Sequence, residues 1–223
     1  VDYQMDVACL LEQADALGLP EERYMLAHSM GGCIAMRALV DGRMTPKRAV
    51  FSAPMWGIFI APVKSPMAWV LPTLAERFGQ ELRTVPGTRP DSYIGDTPFL
   101  INLLTSDRDH YDFITRHAAA RPEFALGGPT IHWFAQARAE MLALLRAPRP
   151  DIPCATFVGT NEFVVDPEAM RDMHTDWDAG ELHIIEGGKH EMMMETPAIR
   201  SSFMAGMLSF LKTGRVDAPH ISI

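Results

Sequence analysis

Cysteine is scarce in this sequence, which contains three among 223 residues. They stand at Cys9, Cys33 and Cys154, an odd and scattered set. Disulfide-stapled domains carry cysteines in even numbers at regular spacings, and zinc sites place them in close pairs. The sequence therefore predicts neither a disulfide framework nor a zinc centre, and this cysteine usage is typical of a reducing, cytoplasmic compartment. The histidines also lack metal-ligand spacing, so no metal ion is expected.

Positive charge is also in short supply. The chain has 20 Lys and Arg residues against 28 Asp and Glu residues, for a net charge of -8. Because the phosphates of nucleic acids demand a basic protein face, we expect no nucleic-acid partner. The same acidic excess removes any simple electrostatic attraction to anionic lipid.

A long uninterrupted apolar run is missing as well. The most apolar stretch, residues 54–74, is broken by Lys64 and three prolines, whereas a membrane-spanning helix needs about 20 consecutive apolar residues. No signal peptide is visible, and the chain opens at Val1 without an initiator methionine. We therefore expect the sequence to be part of a longer protein.

The two ends of the chain show strand and helix patterns in alternation. The strand patterns cover residues 23–28, 48–52, 154–159 and 181–185, and the helix patterns cover 1–17, 30–40, 167–178 and 195–211. Strand, helix and strand joined by short links imply parallel neighbours with right-handed crossovers. The sequence therefore predicts an α/β fold built on a parallel sheet.

Residues 54–150 contain no convincing strand. Helical stripes occur there at 66–78, 99–104, 109–120 and 130–146, broken by proline and glycine. A helical block of this length inserted into a parallel sheet predicts a cap. We therefore divide the chain into a sheet core, residues 1–53 and 151–223, and a helical cap or lid, residues 54–150.

The segment 28–32, with the sequence HSMGG, lies where a strand pattern gives way to a helix pattern. A serine on such a turn is pushed out of the backbone, which is the geometry of a nucleophile elbow. Ala27 replaces the usual first glycine, and Gly31 and Gly32 would let the helix pack close behind the turn. The alternative is that Ser29 merely caps the helix.

A nucleophilic serine needs a base and an acid, and functional groups gather at the carboxyl ends of parallel strands. Glu162 and Asp166 follow the strand at 154–159, and His190 follows the strand at 181–185. The chain order serine, acid, histidine is that of an α/β-hydrolase. We prefer Glu162 as the acid because Asp166 precedes Pro167 and would naturally cap the next helix; Asp166 remains the alternative acid.

Two further features belong to the same predicted site. The backbone amide of Met30 is expected to be one donor of an oxyanion hole, and the second donor would come from upstream of Val1. His28 is expected to shape the elbow or the pocket floor rather than to act as the base. His174 and His183 lie within a predicted helix and strand, so neither has the loop freedom to reach Ser29.

Five stretches of the chain carry a family resemblance. The elbow, residues 159–167 and residues 187–191 resemble the lysophospholipase and monoacylglycerol lipase branch of the α/β-hydrolases, and residues 102–107 and 122–130 are similar to stretches of bacterial lysophospholipases. The resemblance implies Ser29 as nucleophile, Glu162 as acid and His190 as base. Family members more often carry Asp at the acid position, which keeps Asp166 open. The resemblance also implies earlier strands, without which strand 23–28 would be an unpaired apolar edge.

Together these features predict a serine carboxylic-ester hydrolase that acts through an acyl-enzyme, without cofactor or metal. The expected small-molecule substrate is a medium- or long-chain acyl ester, such as a monoacylglycerol or lysophospholipid. The alternatives are an acyltransferase, a small-peptide serine peptidase and a catalytically dead binding scaffold. The oligomeric state stays open.

Apolar residues at the start of the predicted cap could line an acyl channel, rest transiently on a lipid surface or simply pack the cap: Met55, Trp56, Ile58, Phe59, Ile60, Met67, Trp69, Val70 and Leu71. Met192, Met193 and Met194 could likewise floor an acyl pocket or belong to the core.

Overall fold

The computed structural model of the chain describes residues 2–58, 65–88, 92, 94, 97–124 and 126–217. Its helices and strands are, in chain order, α1 (Asp2–Ala16), β1 (Tyr24–His28), α2 (Met30–Val40), β2 (Arg48–Ser52), α3 (Ser65–Arg77), α4 (Arg108–Ala120), α5 (Ile131–Arg146), β3 (Cys154–Gly159), α6 (Pro167–His174), β4 (Gly180–Ile185) and α7 (Pro197–Thr213). Short 3-10 turns lie at Phe99–Ile101, Pro122–Phe124 and Met192–Met194.

The strands form a parallel sheet in the order β1-β2-β3-β4. His28 pairs with Ser52, Ser52 with Phe157, and Gly159 with Ile185, so the carboxyl ends of neighbouring strands lie at the same edge. The predicted strands are confirmed to within one residue at each end. The elbow, the loop after β3 and the loop after β4 consequently meet at this edge.

Strands β2 and β3 form the centre of the core. Val50, Phe51, Ala155 and Phe157 are each 0% exposed. Helices α2, α6 and α7 pack against the strands, and the ring of Phe203 on α7 meets the ring of Phe157 edge-on at 5.3 Å. Near-continuous burial of this kind is typical of parallel strands covered by helices.

The helix expected at 99–104 is wrong, because only the turn Phe99–Ile101 forms. The side chain of Asn102 ends it: Oδ1 accepts hydrogen bonds from the backbone amides of Leu104 and Thr105, each at 2.9 Å, and Nδ2 donates to the carbonyl of Phe99 at 2.6 Å. A short polar side chain that binds nearby backbone groups competes with the helix in this way.

Three helix boundaries differ from the sequence pattern by two or more residues; one of them is the end of α7, at Thr213 rather than at residue 211. Helix α6 ends at His174 rather than at residue 178, because Trp177 turns inward and donates its Nε1 hydrogen to the carbonyl of Pro150 at 3.0 Å. Helix α7 begins at Pro197 rather than at residue 195. Glu195 is excluded because its buried carboxylate accepts from backbone amides, including that of Thr196 at 2.9 Å.

The apolar residues that open the helical block do not share one environment. Met55 and Trp56 are buried in the core, Ile58 packs against it, and Val70 is 55% exposed. Phe59, Ile60 and the side chains of Met67 and Trp69 lie outside the described residues. Among the helices described, none is both long and apolar enough to cross a bilayer.

Candidate active site

Ser29 joins β1 to α2 with an unusual backbone conformation. Its φ is 52° and its ψ is -124°, a positive φ that non-glycine residues adopt infrequently. The side chain makes no capping hydrogen bond to α2; instead, its Oγ lies 2.9 Å from Nε2 of His190. The helix-cap interpretation of Ser29 is therefore wrong, and the hydroxyl points toward the predicted base.

Close packing behind the elbow requires one of its two glycines. A Cβ added at Gly32 would lie 2.5 Å from the Cβ of Pro54, so a side chain has no room there. A Cβ added at Gly31 would meet nothing within 4 Å. The packing reason offered for Gly31 is consequently wrong, whereas for Gly32 it is correct.

The carboxylate of Glu162 is enclosed and held by the loop that follows β3. Oε1 accepts from the backbone amides of Val164 at 2.7 Å and Val165 at 3.1 Å, and Oε2 lies 2.8 Å from Nδ1 of His190. Its side chain is 0% exposed. Asp166 instead accepts from the amide of Glu168 at 3.0 Å and caps α6, the role expected of it.

The loops that carry Glu162 and His190 are fastened to each other through the backbone. The amide of Thr160 donates to the carbonyl of Ile185 at 3.0 Å, and the amide of Asn161 donates to that of Gly188 at 2.9 Å. A Cβ on Gly159 would overlap the carbonyl oxygen of Gly188. The spacing between the two loops is therefore set by main-chain contact, which requires glycine at 159.

The structure thus brings Ser29, His190 and Glu162 into one hydrogen-bonded chain. The ring of His190 is 3% exposed and lies between the other two side chains. A carboxylate that accepts from Nδ1 holds the imidazole with Nε2 free to take a proton from the hydroxyl. This arrangement can activate a serine as a nucleophile.

A second histidine and carboxylate lie beside this chain. Nδ1 of His28 is 2.9 Å from the carbonyl of Ser52, Nε2 is 3.2 Å from Oε1 of Glu191, and the ring centroid is 4.8 Å from that of His190. Burial lowers the pKa of His28, but the facing carboxylate of Glu191, the carbonyl of Ser52 and the charge of Glu162 together outweigh it, so the net pKa is raised. Sequence reasoning missed Glu191, although its position next to His190 was a signal.

Glu191 responds in the opposite sense. Burial raises the pKa of its carboxyl group, and the facing His28 more than compensates, so the net pKa is lowered. Each partner therefore favours the charged form of the other. The pair lies directly beside the catalytic chain, since the ring of His28 is next to that of His190.

The competing histidines are held away from Ser29, as expected. His174 ends α6, its Nε2 lies 3.0 Å from Oγ1 of Thr156, and burial lowers its pKa to about 4. It is therefore neutral near pH 7. His183 on β4 stacks on Phe157 at 5.1 Å.

His28, His190 and Glu191 offer ligand atoms that all lie within 4.8 Å of one another. These residues could hold a metal ion only by changing present contacts, because both ring nitrogens of His190 already face Ser29 and Glu162. The arrangement therefore favours proton transfer over metal binding.

A cleft of about 1030 Å³ reaches the elbow from the side of α1, α2 and α5. Met30, Ile34, Met55 and Trp133 contribute apolar parts of its lining. As the first residue of α2, Met30 has a backbone N–H without a partner inside the helix. Met192 is 0% exposed within the core, so for this residue the core interpretation, not the acyl-pocket one, is correct.

Residues 1–197 match the Hydrolase_4 family, described as serine aminopeptidase, S33. The chain belongs to this family. It is 31% identical over 223 residues to lysophospholipase L2 of Escherichia coli (strain K12), an alignment that covers 94% of this chain and 63% of that protein. It is 26% identical to probable lysophospholipase L2 of Haemophilus influenzae, over 94% of this chain and 66% of the relative. The chain therefore spans about two thirds of the length of these relatives.

Among solved structures, this family member resembles a soluble variant of monoglyceride lipase from Saccharomyces cerevisiae in complex with a substrate analogue. The TM-score is 0.66 at 22% identity, covering 96% of this chain and 68% of the lipase. At this level of identity the likeness concerns the fold. The predicted α/β-hydrolase fold is thereby confirmed.

Proposed function

We propose that the protein is a serine carboxylic-ester hydrolase that acts through an acyl-enzyme. The observation that carries the proposal is the hydrogen-bonded chain from Ser29 through His190 to Glu162, with distances of 2.9 and 2.8 Å. Membership of a serine hydrolase family and the similarity to lysophospholipase L2 support it.

The geometry gives each residue a role. Nε2 of His190 takes the hydroxyl proton as Oγ of Ser29 attacks the acyl carbonyl carbon, while Glu162 stabilises the resulting imidazolium. The backbone amide of Met30 donates to the oxygen that becomes negatively charged. The imidazolium then protonates the leaving alcohol. Water next attacks the acyl-enzyme by the same route, which releases the carboxylic acid and returns the proton to Ser29.

For the substrate we propose a lysophospholipid or monoacylglycerol, with residues 54–150 serving as the cap that selects it. Two observations support a lipid ester: the partly apolar cleft beside Met30, and the apolar side chains exposed on the helical block, such as Phe78 and Leu100. The relatives named as lysophospholipases point to the same class.

A fluorophosphonate probe tests the nucleophile. We expect it to label the full chain, and Ser29→Ala to abolish both the label and ester hydrolysis. Ser201→Ala, at an exposed position of α7, is the matched control and should behave as the unchanged protein. Labelling that persists in Ser29→Ala, or ester hydrolysis that persists there, contradicts the proposal.

A series of p-nitrophenyl esters of increasing acyl length tests the lipid preference. We expect kcat/KM to rise with chain length, because each added methylene that is buried against apolar side chains contributes about 0.8 kcal/mol. A flat response would contradict the lipid assignment while leaving the nucleophile intact.

A small-peptide peptidase is the second candidate, favoured by the serine aminopeptidase description of the family. The same chain of residues cleaves amides and esters, so geometry alone does not separate them. Assays of aminoacyl p-nitroanilides and lysophospholipids side by side separate the two candidates. A peptidase should have a higher kcat/KM for the anilides than for the lysophospholipids.

We propose a cytoplasmic location with transient contact at a lipid surface. Cys9, Cys33 and Cys154 are all free thiols, which fits a reducing compartment. Burial raises the pKa of both Cys33 and Cys154 to about 12, so these two thiols are unreactive at neutral pH. Fractionation of cells that express the full chain tests this location.

A further inference from the structure

We infer that residues 102–106 of the helical block, together with Glu195, form a positioning element that holds His190 in line with Ser29. We call this element the clasp. The inference rests on the proposed function, because it assigns a task to the residues around the proposed base. It also gives the stretch 102–107 a role other than contact with substrate.

Three consecutive backbone amides around His190 donate to the clasp. The amide of Lys189 donates to Oε1 of Glu195 at 3.2 Å, and the amide of His190 makes a long contact of 3.5 Å to the carbonyl of Leu103. The amide of Glu191 donates to the carbonyl of Leu104 at 2.8 Å. The main chain that carries the imidazole is therefore attached to the clasp on both sides of His190.

A single buried carboxylate joins three segments. Glu195 is 0% exposed; its Oε1 also accepts from the amide of Ser106 at 2.9 Å, and its Oε2 accepts from that of Thr196 at 2.9 Å. The helical block, the loop after β4 that carries His190 (the histidine loop) and the start of α7 thus share one carboxylate as acceptor. A carboxyl group so deeply buried requires such donors, since burial without them is costly.

Hydrogen bonds within the clasp, and from the clasp to Met194 and Lys189, hold it in place. Asn102 and Thr105 are 2% and 0% exposed. Besides its bonds to the amides of Leu104 and Thr105, Asn102 donates Nδ2 to the carbonyl of Thr105 at 3.1 Å. Thr105 donates its hydroxyl to the carbonyl of Met194 at 2.7 Å, and Nζ of Lys189 donates to the carbonyl of Asn102 at 3.0 Å.

The clasp compensates for freedom in the histidine loop. Gly187 has a φ of 75° and is followed by Gly188, so the chain just before His190 contains two residues with wide conformational choice. Displacement of a catalytic group by about 1 Å can cost about 100-fold in rate. Fixing the loop from the side of the helical block protects the Ser29–His190 distance.

Substitutions at Thr105 test the clasp in the full chain, with a short p-nitrophenyl ester as substrate. Thr105→Val keeps the shape and removes the hydroxyl, and we expect kcat to fall about 10- to 100-fold with KM changed less than about twofold. Thr105→Ser retains the hydroxyl and should keep most of the activity. Thr156→Val is the matched control: it removes an equally buried hydroxyl that contacts His174, and should leave kcat unchanged.

The rate of fluorophosphonate labelling of Ser29 should follow the same order, because it reports activation of the hydroxyl without a need for substrate fit. Equal kcat values in Thr105→Val and Thr156→Val would overturn the inference, as would a loss confined to KM.

A milder variant covers the case in which Thr105→Val fails to fold. Lys189→Met keeps the stem of a half-buried side chain and removes the bond to Asn102, and we expect kcat to fall about three- to tenfold. An unchanged kcat there overturns the inference. If Ser29→Ala keeps its activity, the proposed function is wrong. If Ser29→Ala is inactive but Thr105→Val is fully active, the proposed function stands and only the inference about the clasp is wrong.

Discussion

The two central strands of the sheet core, β2 and β3, differ from the helical block in how far their apolar side chains are exposed. In the core, Phe51 and Phe157 are 0% exposed, and the neighbouring strand residues are enclosed in the same way. On the block, Phe78 is 70% exposed, Leu82 is 76% exposed and Leu100 is 90% exposed. Enclosed side chains stabilise the fold, whereas exposed ones remain available for contact with another apolar surface.

The two regions also contribute differently to the site. The sheet core supplies Ser29, Glu162 and His190 from the edge where its strands end, together with Glu195 of the clasp. The helical block supplies residues 102–106 of the clasp. Changes on the core side should therefore alter chemistry and stability strongly. Changes on the outer face of the block should affect neither.

The largest effect is expected at the acid. Glu162→Gln keeps the size of the side chain but removes the charge that stabilises the imidazolium, and we expect kcat to fall about 10⁴-fold. Asp166→Ala is the control: it should cost about 1 kcal/mol of unfolding free energy through the lost cap and little activity. The reverse pattern in kcat would make Asp166 the acid.

The glycines of the elbow give the next effect. Gly32→Ala forces a methyl group against Pro54, and we expect a loss of about 1–3 kcal/mol in the free energy of unfolding by urea. Gly31→Ala meets open space and should stabilise α2 by up to about 1 kcal/mol. Equal losses at both positions would show that the close approach at Gly32 is not what matters.

A smaller, pH-dependent effect is expected for the ion pair of His28 and Glu191. The raised pKa of His28 gives stability that is complete below its ordinary value of 6.5 and is lost as the pH rises through the raised pKa. The lowered pKa of Glu191 gives stability that is present above 4.5 and is lost as the pH falls through the lowered pKa. Glu191→Gln should therefore cost about 1 kcal/mol near pH 5.5 and less near pH 9, measured by urea unfolding. If the loss of unfolding free energy in Glu191→Gln does not change with pH, the ion pair of His28 and Glu191 does not stabilise the fold.

The smallest effect on the fold is expected at the exposed face of the block. Phe78→Ser should change the free energy of unfolding by less than about 0.5 kcal/mol. If this face rests on lipid, the same variant should bind uncharged phosphatidylcholine vesicles more weakly in a sedimentation assay. Glu76→Ser, at the end of α3 and two residues before Phe78, is the control and should keep vesicle binding. Equal binding by both variants would show that Phe78 does not contact lipid.

Much of the core could be predicted because its signals are local. Short apolar runs bounded by glycine and proline predict buried strands, and the strand ends then indicate where Ser29, Glu162 and His190 lie. The preference for Glu162 over Asp166 followed from Pro167, which predicts a helix cap. The geometry of the two side chains agrees with that preference.

Other features could not be predicted because they depend on contacts between distant segments. The contact of Glu195 with Ser106 joins positions 89 residues apart, and that of Trp177 with Pro150 joins positions 27 residues apart. The sequence also did not indicate which apolar side chains are exposed. Met55 and Val70 have similar polarity, yet Met55 is buried and Val70 is exposed. Glu191 became significant only when His28 was found opposite it.

The main-chain contact between Gly159 and Gly188 has a consequence for how this protein could be altered. The span from acid to base does not depend on the bulk of any outward-facing side chain in either loop. Positions such as Phe163, which is 51% exposed, are therefore open to redesign for new ester selectivity. Glycine 159 is not: any larger residue there would push the two loops apart and lengthen the path along which the proton moves.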